Sequence, residues 1–261
     1  MIESALAPAD DVGAVLADIA LEAAEAILPF WRAELAVERK ADMSPVTEAD
    51  RRAEALILQR LAETFPDVPV VSEEAAEEKG VPREAARRFF LVDPLDGTKG
   101  FLGGRESFTV NIALIEDGAP VAGAVGAPAT GQVWFTSGGG AWRRKAGEAH
   151  ATQVRVRAKP DRGGVALLSH TVKDDDALRL AERYGCQSWQ GMDSSVKFCL
   201  IAEGRADAYP RPGRTMEWDT AAGDAVLRAA GGRVLTEQGQ PLVYGKADKG
   251  FQNPGFIAFG G

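Results

Sequence analysis

The order of predicted strands and helices changes near residue 158, and this change limits the folds open to the chain. Apolar residues recur at helical spacing over residues 12–31 and 47–65, which predicts two amphipathic helices. Short apolar segments with turn residues between them follow, as in an antiparallel sheet. These segments are "VPVVSEE", "RFFLVD", "SFTVNIALIEDGAPVAGAVGAP", "GQVWFTS" and "HATQVRVR".

Beyond residue 158, predicted strands alternate with predicted helices, which is typical of an α/β unit. The strands are "VALLS" and "ADAYPR", and the helices are "KDDDALRLAERYG", "SSVKFCLIAEG" and "WDTAAGDAVLRAAGG". We therefore expect an α+β part over residues 1–158 and an α/β part over residues 159–261.

Two segments between these elements are predicted to be irregular. The acidic stretch "SEEAAEEKG" is expected to form a charged loop after its strand. The stretch "SGGGAWRRKAG" is expected to form a turn, because its glycines are not in G-x-G-x-x-G order and no helix follows.

Composition excludes several classes of protein. The chain has 30 Lys and Arg against 38 Asp and Glu, a net charge of −8, whereas a general nucleic-acid binder usually has a basic face. No apolar run approaches membrane-spanning length, and "MIESALAPADD" lacks the pattern of a signal peptide. Two cysteines, Cys186 and Cys199, fit neither a disulfide framework nor a zinc cluster. We expect a cytoplasmic protein without a transmembrane segment.

Carboxylates follow apolar segments at three places along the chain. Glu73 follows "VPVV", Asp93 and Asp96 follow "FFLV", and Asp219 opens the "WDTAAG" segment. Functional sites are often built where a buried element ends, and Mg²⁺ takes carboxylate, carbonyl and water oxygens as ligands. Two such ions roughly 3.5–4 Å apart can hold both reacting oxygens of a phosphoryl transfer. The string "DPLDGTK" therefore predicts a metal site with phosphate chemistry.

A purely structural interpretation also fits three of the acidic residues. Glu73 begins an acidic run that could be a solvated surface, and Asp219 could cap its helix. Asp50 could complete a capping box with Thr47. The string from Asp93 to Lys99 is different, because a strand, paired carboxylates, Gly97 and Thr98 occur together there. This combination clearly favours a functional role over a structural one.

Three other chemistries do not match the residues. A Walker loop needs an upstream glycine and a different residue order. Aspartyl-phosphate hydrolases of the haloacid dehalogenase type place their carboxylates two residues apart, whereas Asp93 and Asp96 are three apart. Two histidines and no Ser/His/Asp order disfavour histidine-rich metal sites and acyl transfer.

Four motifs together resemble the inositol monophosphatase-like, lithium-sensitive phosphatases. They are "VTEAD" (46–50), "SEE" (72–74), "DPLDGTKGF" (93–101) and "EWDTAAGDAVLRAAGG" (217–232). Within that family, "SSVKFCLIAEGRADAYPR" and "FQNPGF" look most like the bacterial 3′(2′),5′-bisphosphate nucleotidases, which hydrolyse 3′-phosphoadenosine 5′-phosphate during sulfate assimilation. One departure is Gly100, where relatives often carry Glu.

The resemblance implies a fold, a cofactor and a set of site residues. The fold is a layered α/β/α/β/α sandwich of the lithium-sensitive sugar and inositol phosphatase type, with an antiparallel sheet in the first half and a mixed sheet in the second. The cofactor is two or three Mg²⁺ ions. The implied ligands are Glu73, Asp93, the Leu95 carbonyl, Asp96 and Asp219. Thr98 and Asp50, assisted by Glu73, would activate the attacking water.

A bisphosphate substrate also implies a cationic pocket for its second phosphate. Lys197 and Arg211 are the candidate cations, Arg214 is a weaker one, and Ser194 and Ser195 are candidate hydroxyl donors. The arginines could equally be solvated in their Pro-Gly loop. His170 could stack on adenine or lie at the surface. The amides of Gly97 and Thr98 could bind the reacting phosphate.

Several alternatives stay open at this level. Inositol monophosphatase, histidinol-phosphate phosphatase and fructose bisphosphatase activities share the scaffold, and a non-catalytic sensor of a phosphorylated ligand or metal is an alternative of another class. The resemblance implies a monomer or homodimer acting on a small phosphomonoester, without a nucleic-acid polymer. It also allows peripheral association with the inner membrane.

Overall fold

A computed structural model describes residues 9–31, 38–39, 45–46 and 48–261. Thr47, the predicted capping-box partner of Asp50, lies outside the described residues. The helices are α1 (Ala9–Ile27), α2 (Glu48–Thr64), α3 (Glu73–Lys79), α4 (Thr98–Leu102), α5 (Asp174–Arg183), α6 (Val196–Ala202) and α7 (Ala221–Ala229), with 3₁₀ turns at Leu28–Phe30, Pro128–Thr130 and Ala247–Lys249. In these described segments, no helix is long and apolar enough to cross a membrane.

The strands form two large sheets and two short pairs. They are β1 (Glu38–Arg39), β2 (Pro45–Val46), β3 (Val70–Ser72), β4 (Arg88–Asp96), β5 (Thr109–Glu116), β6 (Ala119–Ala127), β7 (Gln132–Ser137), β8 (Gly140–Lys145), β9 (Thr152–Val154), β10 (Val165–Leu168), β11 (Ser188–Gly191), β12 (Ala208–Arg211), β13 (Thr215–Met216), β14 (Arg233–Thr236), β15 (Gln252–Asn253) and β16 (Phe256–Phe259).

The first large sheet has the order β3-β4-β5-β6-β7-β8-β9. Strands β4 to β9 pair antiparallel as predicted, but β3 pairs parallel to β4. Asp117 and Gly118 join β5 to β6 with φ of 49° and 78°. Two successive residues with positive φ match the right-handed twist of a hairpin, which explains the tight connection.

The second large sheet has the order β11-β10-β12-β16-β14. Strand β10 is parallel to β11 and β12, whereas β16 is antiparallel to β12 and β14. This sheet is mixed, as predicted. The first large sheet ends at Val154 and the second begins at Val165, while the division into parts 1–158 and 159–261 stays a prediction.

The helices form three layers around these sheets. Helices α1 and α2 pack on one face of the first sheet, where Val110, Ile112 and Leu114 point towards them. Helices α6 and α7 lie between the sheets, where Ala113 and Ile115 join their core. Helix α5 covers the outer face of the second sheet. The result is the predicted α/β/α/β/α sandwich, because alternate residues of β5 face different helical layers.

Two predicted irregular segments are regular in the structure. Residues 73–79 form helix α3 instead of a charged loop, because acidic side chains stabilise a helix N-terminus and Gly80, at φ 81°, ends the helix. Residues 140–145 form strand β8 instead of part of a turn. The turn is confined to Gly138 and Gly139, whose φ values of 56° and 70° permit a two-residue hairpin.

A close approach between α6 and α7 requires Gly223. A Cβ atom at this position would lie 2.3 Å from Cδ2 of Phe198, which is 1% exposed and packs 5.7 Å from the ring of Phe256. Alanine favours a helix by about 1 kcal/mol over glycine. Overpacking a dense core costs about 1–3 kcal/mol and opposes that gain.

We therefore expect Gly223→Ala to lower the free energy of unfolding by up to about 2 kcal/mol, because the overpacking outweighs the helix preference. Urea denaturation would measure the change. Gly213→Ala is the matched control, since no atom of the described residues would lie within 4 Å of its Cβ. Equal stability of the two variants would contradict this account of the helix contact.

Candidate active site

The end of strand β4 carries the predicted aspartate pair. Asp93 pairs with Asn111 of β5 and Asp96 pairs with Thr109, with an irregular register between the two pairs. The Asp93 side chain is 1% exposed and its Oδ1 accepts the Leu95 N–H at 3.0 Å. The register shift falls between the two aspartates, and both carboxylates lie near the C-terminal end of β4.

The turn after Asp96 leads directly into helix α4. Gly97 has a φ of 89°, and a Cβ there would lie 3.0 Å from the Ser107 carbonyl oxygen, so glycine is required. Thr98 begins the helix and its Oγ1 donates to the Leu95 carbonyl at 3.1 Å. A helix does begin at the predicted phosphate-binding residues Gly97 and Thr98.

The other predicted carboxylates surround Asp93. Asp50 is buried in the first turn of α2, Glu73 begins α3, and Asp219 lies just before α7. Burial raises the pKa of Asp93 well above its usual range, and the charges of Glu73, Asp96, Asp219 and Asp50 raise it further. Residues from four separate segments are thus brought close enough to affect one another's protonation.

Asp219 does not cap helix α7. The helix begins at Ala221 and is preceded by Thr220, whereas Asp219 Oδ2 accepts the Met216 N–H at 2.8 Å. Burial raises the pKa of Asp219 to about 7, and the charge of Asp96 adds to the rise. The capping interpretation is therefore wrong, and Asp219 lies in the acidic group instead.

The donor atoms of this group fit a hard divalent cation. All are carboxylate or carbonyl oxygens, which Mg²⁺ prefers, and the raised pKa values reflect crowded negative charge that a cation would offset. Within the described ranges, no three Asp, Glu, His or Cys side chains form a ready-made group that could hold an ion. Each carboxylate that accepts a backbone N–H keeps further lone pairs for a ligand. We conclude that the chemistry fits Mg²⁺, with side-chain adjustment.

A cleft of about 670 Å³ opens beside the aspartates. The predicted site residues that line it are Asp50, Glu73, Asp96, Gly97, Thr98, His170, Ser194, Ser195, Lys197, Arg211 and Asp219. Asp93 is buried and is not among the residues that line the cleft. The predicted Leu95 carbonyl accepts the Thr98 hydroxyl at 3.1 Å, so it lies next to the site.

Two predicted substrate ligands have other partners. Lys197 is 3% exposed, and its ammonium donates to the carbonyls of Ser194 and Met192 at 2.5 and 3.2 Å. Ser195 is 2% exposed, and its Oγ donates to Asn111 Oδ1 at 2.6 Å. Both groups thus bind protein atoms, which differs from their predicted contacts with a substrate phosphate.

The predicted arginines lie in different environments. Arg211 ends strand β12 and lines the cleft, and in the described part of the chain its buried Nε–H has no hydrogen-bond partner. Arg214 lies outside the cleft lining and is exposed, with Nη1 3.5 Å from Gln252 Oε1. The structure thus brings Arg211 to the site and leaves Arg214 away from it. His170 is exposed at the rim of the cleft.

Several residues at the site were missed by sequence reasoning. The Ser195 hydroxyl donates to Asn111 Oδ1 and is hydrogen-bonded to the Thr109 hydroxyl. A polar Asn111 inside the apolar strand "TVNIALI" was an available signal. Arg105 and Asp193 line the cleft and form an ion pair at 2.7 Å. They are far apart in sequence, so no local pattern could have paired them.

A further missed group supports the segment around Asp219. Glu217 is fully buried, and its carboxylate accepts the N–H groups of Gly245 and Lys246 at 2.6 and 2.9 Å. The Lys246 ammonium lies 2.6 Å from the same carboxylate. A buried charge is tolerated when it is paired and hydrogen-bonded in this way. These contacts join the backbone of residues 245–246 to Glu217, two residues before Asp219.

The fold and this carboxylate-lined cleft define a class of phosphatases. The profile of the inositol monophosphatase family matches residues 9–255, and the chain belongs to this family. The resemblance inferred from the four motifs is thereby confirmed.

Within this family, the chain is similar to bisphosphate nucleotidases and to an inositol monophosphatase. The chain is 42% identical over 240 residues to the 3′(2′),5′-bisphosphate nucleotidase CysQ of Salmonella typhimurium, covering 91% of this chain and 95% of that protein. The crystal structure of CysQ from Bacteroides thetaiotaomicron matches with a TM-score of 0.78 and 33% identity, covering 96% and 97% of the two chains. An inositol monophosphatase from Zymomonas mobilis matches with a TM-score of 0.74 and 30% identity, covering 96% and 92%.

Proposed function

We propose that this chain is a Mg²⁺-dependent phosphomonoesterase that hydrolyses 3′-phosphoadenosine 5′-phosphate to AMP and inorganic phosphate. The observation that supports this most is Arg211, which lines the same cleft as Asp96 and Asp219 and whose buried Nε–H has no hydrogen-bond partner among the described residues. A substrate with two phosphates needs such a cation in addition to the metal site. The likeness to the Salmonella nucleotidase supports the same substrate.

The carboxylates have the role of metal ligands in this proposal. Glu73, Asp93, Asp96, Asp219 and the Leu95 carbonyl would hold the ions. Bound Mg²⁺ supplies positive charge beside the phosphate and makes water easier to deprotonate. The two or three ions expected from the family stay a prediction.

Asp50 and Thr98 would activate and orient the attacking water. The Thr98 hydroxyl already donates to the Leu95 carbonyl, so its oxygen can accept a hydrogen bond from the water. Asp50 lines the same cleft and would take the proton, assisted by Glu73. The water oxygen would bond to phosphorus as the bond to the 3′ oxygen breaks. The leaving 3′ oxygen would take a proton from solvent water, and the proton on Asp50 would return to solvent.

The amides of Gly97 and Thr98 and the hydroxyl of Ser194 would complete the substrate contacts. Gly97 and Thr98 lie at the start of helix α4, where free N–H groups can bind the reacting phosphate. Ser194 lines the same cleft beside Gly97, and the exposed His170 also lines it, where the imidazole could stack on adenine. Arg211 would bind the 5′-phosphate with two parallel hydrogen bonds.

A phosphate-release panel tests this proposal. We expect Mg²⁺-dependent release from 3′-phosphoadenosine 5′-phosphate, with much slower release from inositol 1-phosphate and histidinol phosphate. Calcium should inhibit because it prefers longer bonds and more ligands than Mg²⁺, and lithium inhibition is expected from the family. Full activity in excess chelator would contradict the metal role, and no release from any phosphomonoester would favour the sensor alternative.

Inositol monophosphatase is the second candidate function. The 30% identity to the Zymomonas mobilis enzyme, at a TM-score of 0.74, favours it over the other phosphatases of this scaffold. A faster reaction with inositol 1-phosphate than with the bisphosphate would replace the nucleotidase assignment. The role in sulfur metabolism, the cytoplasmic location and the monomeric or homodimeric state stay predictions. The comparisons give no support to peripheral membrane association.

A further inference from the structure

The tail motif "FQNPGF" (251–256) lies next to the segment that carries Asp219. Its residues 252–253 form strand β15, which pairs antiparallel with β13, and β13 ends three residues before Asp219. Asn253 is 1% exposed, and none of residues 251–256 lines the cleft. Asn253 therefore acts through other residues, without contact to a substrate in the cleft.

The hydrogen bonds of Asn253 use its whole amide group. Its Oδ1 accepts from the Lys246 ammonium at 3.0 Å. Its Nδ2 donates to the Thr220 hydroxyl at 2.8 Å and to the Met216 carbonyl at 3.2 Å. Because an ammonium only donates and a carbonyl only accepts, these partners permit one orientation of the amide. The two N–H donors therefore face residues 216 and 220.

The two residues that Asn253 holds are the ends of a turn that contains Asp219. The Thr220 N–H donates to the Glu217 carbonyl at 3.2 Å, which closes the turn. The Asp219 Oδ2 accepts the Met216 N–H at 2.8 Å. Met216 therefore contacts Asp219 through its N–H and Asn253 through its carbonyl. One buried amide thus fixes the backbone group that orients the Asp219 carboxylate.

Asn253 is itself held on both sides of its amide. Phe251, two residues earlier, is fully buried at a φ of 59°, and its carbonyl accepts the Glu217 N–H at 2.8 Å. A left-handed conformation is rare for a bulky residue and persists only where the surrounding structure holds it. The Lys246 ammonium, which binds the amide oxygen of Asn253, also lies 2.6 Å from the Glu217 carboxylate. The position of Asn253 is therefore set before any metal binds.

We propose that Asn253 is a positioning residue for Asp219: its N–H donors hold Met216 and Thr220 and so keep the Asp219 carboxylate in place for the metal ion. This inference rests on the proposed function only in treating Asp219 as a Mg²⁺ ligand. It gives the tail motif a role at the metal site, although the motif lies outside the cleft lining. Groups that orient metal ligands typically change metal affinity or activity by about 10–100-fold when they are removed.

Asn253→Ala tests the proposal, because it removes both donors without adding charge. The first readout is the Mg²⁺ concentration that half-saturates the metal-free protein, measured by titration calorimetry without substrate. We expect this concentration to rise by about 10–100-fold. The second readout is kcat/KM at the Mg²⁺ concentration that half-saturates the wild type. It should fall by a similar factor with 3′-phosphoadenosine 5′-phosphate and with inositol 1-phosphate, and excess Mg²⁺ should recover most of the loss, because the ligand is misplaced but still present.

Asp207→Asn is the matched control. Asp207 is 3% exposed, accepts hydrogen bonds from Arg157 and from the Val165 N–H, and does not line the cleft. This variant should lower the free energy of unfolding but leave the half-saturating Mg²⁺ concentration unchanged. It thus separates a loss of stability from a loss of metal binding.

An unchanged half-saturating Mg²⁺ concentration in Asn253→Ala, with a loss of stability like that of Asp207→Asn, would overturn the proposal and make Asn253 purely structural. If Asn253→Ala does not fold, Thr220→Val removes one acceptor of the same amide at nearly constant volume. It should also raise the half-saturating concentration, and an unchanged value would equally count against the proposal. A wild-type protein that binds Mg²⁺ but releases no phosphate would refute the proposed function alone, and the calorimetry would still test Asn253.

Discussion

Asp93→Asn is expected to lower kcat/KM for the bisphosphate by more than about 100-fold while the protein stays folded. Loss of groups that only orient a metal ligand costs up to about 100-fold, so loss of a ligand should cost more. Asp93 is the most enclosed of the acidic group, and its raised pKa reflects burial and four neighbouring carboxylates. Removing its charge relieves that repulsion, so the metal-free variant should unfold at the same or a higher urea concentration.

Steady-state kinetics and urea denaturation in chelator would measure the two effects. Asp161→Asn is a matched control, because Asp161 is exposed in the segment between the two sheets. A clear loss of stability in metal-free Asp93→Asn would show that the carboxylate holds the fold together. An active Asp93→Asn variant would remove Asp93 from the metal site.

Arg211→Ala is expected to lower kcat/KM for 3′-phosphoadenosine 5′-phosphate by about 10–100-fold. This corresponds to the loss of one charged hydrogen-bonded contact, worth about 1.5–3 kcal/mol. Hydrolysis of inositol 1-phosphate should change little, because that substrate has no second phosphate. Arg211→Lys should recover only part of the loss, since lysine cannot form two parallel hydrogen bonds.

Arg214→Ala is the control for this prediction. The two arginines are three residues apart, but Arg214 is exposed and lies outside the cleft lining. Its removal should leave both reactions unchanged. Equal losses with both substrates in Arg211→Ala would mean that Arg211 supports the site or binds the reacting phosphate.

Much of the fold follows from periodicity in the sequence. Val12, Leu16, Ile19 and Ile27 recur at helical spacing, and all four are buried in helix α1. The alternation of strands and helices after residue 158 likewise predicted an α/β unit, and the resemblance to the family implied that its sheet is mixed. These predictions succeeded because burial of one face imposes the period of the element on its residues.

The sequence-based predictions of secondary structure were wrong in two segments, residues 73–79 and strand β8. Residues 73–79 were predicted as a loop because charge dominates them, although a short acidic helix between Ser72 and Gly80 was a consistent alternative. Strand β8 was not predicted, because its segment is rich in glycine and arginine. Its pairing with β7 places Trp142 opposite Phe135, and only that partner makes it a strand.

The sequence by itself determined the family, most of the order of helices and strands, and the acidic string at the end of β4, because these depend on residues near one another in the chain. Only the tertiary structure decided what the polar side chains contact. It buries Lys197 beneath the 192–195 loop, turns the Ser195 hydroxyl to Asn111, and separates Arg211 in the cleft from Arg214 outside it. A cation or hydroxyl has the same chemistry wherever it occurs in a sequence. Its role depends on which distant acceptors the fold brings within hydrogen-bonding distance.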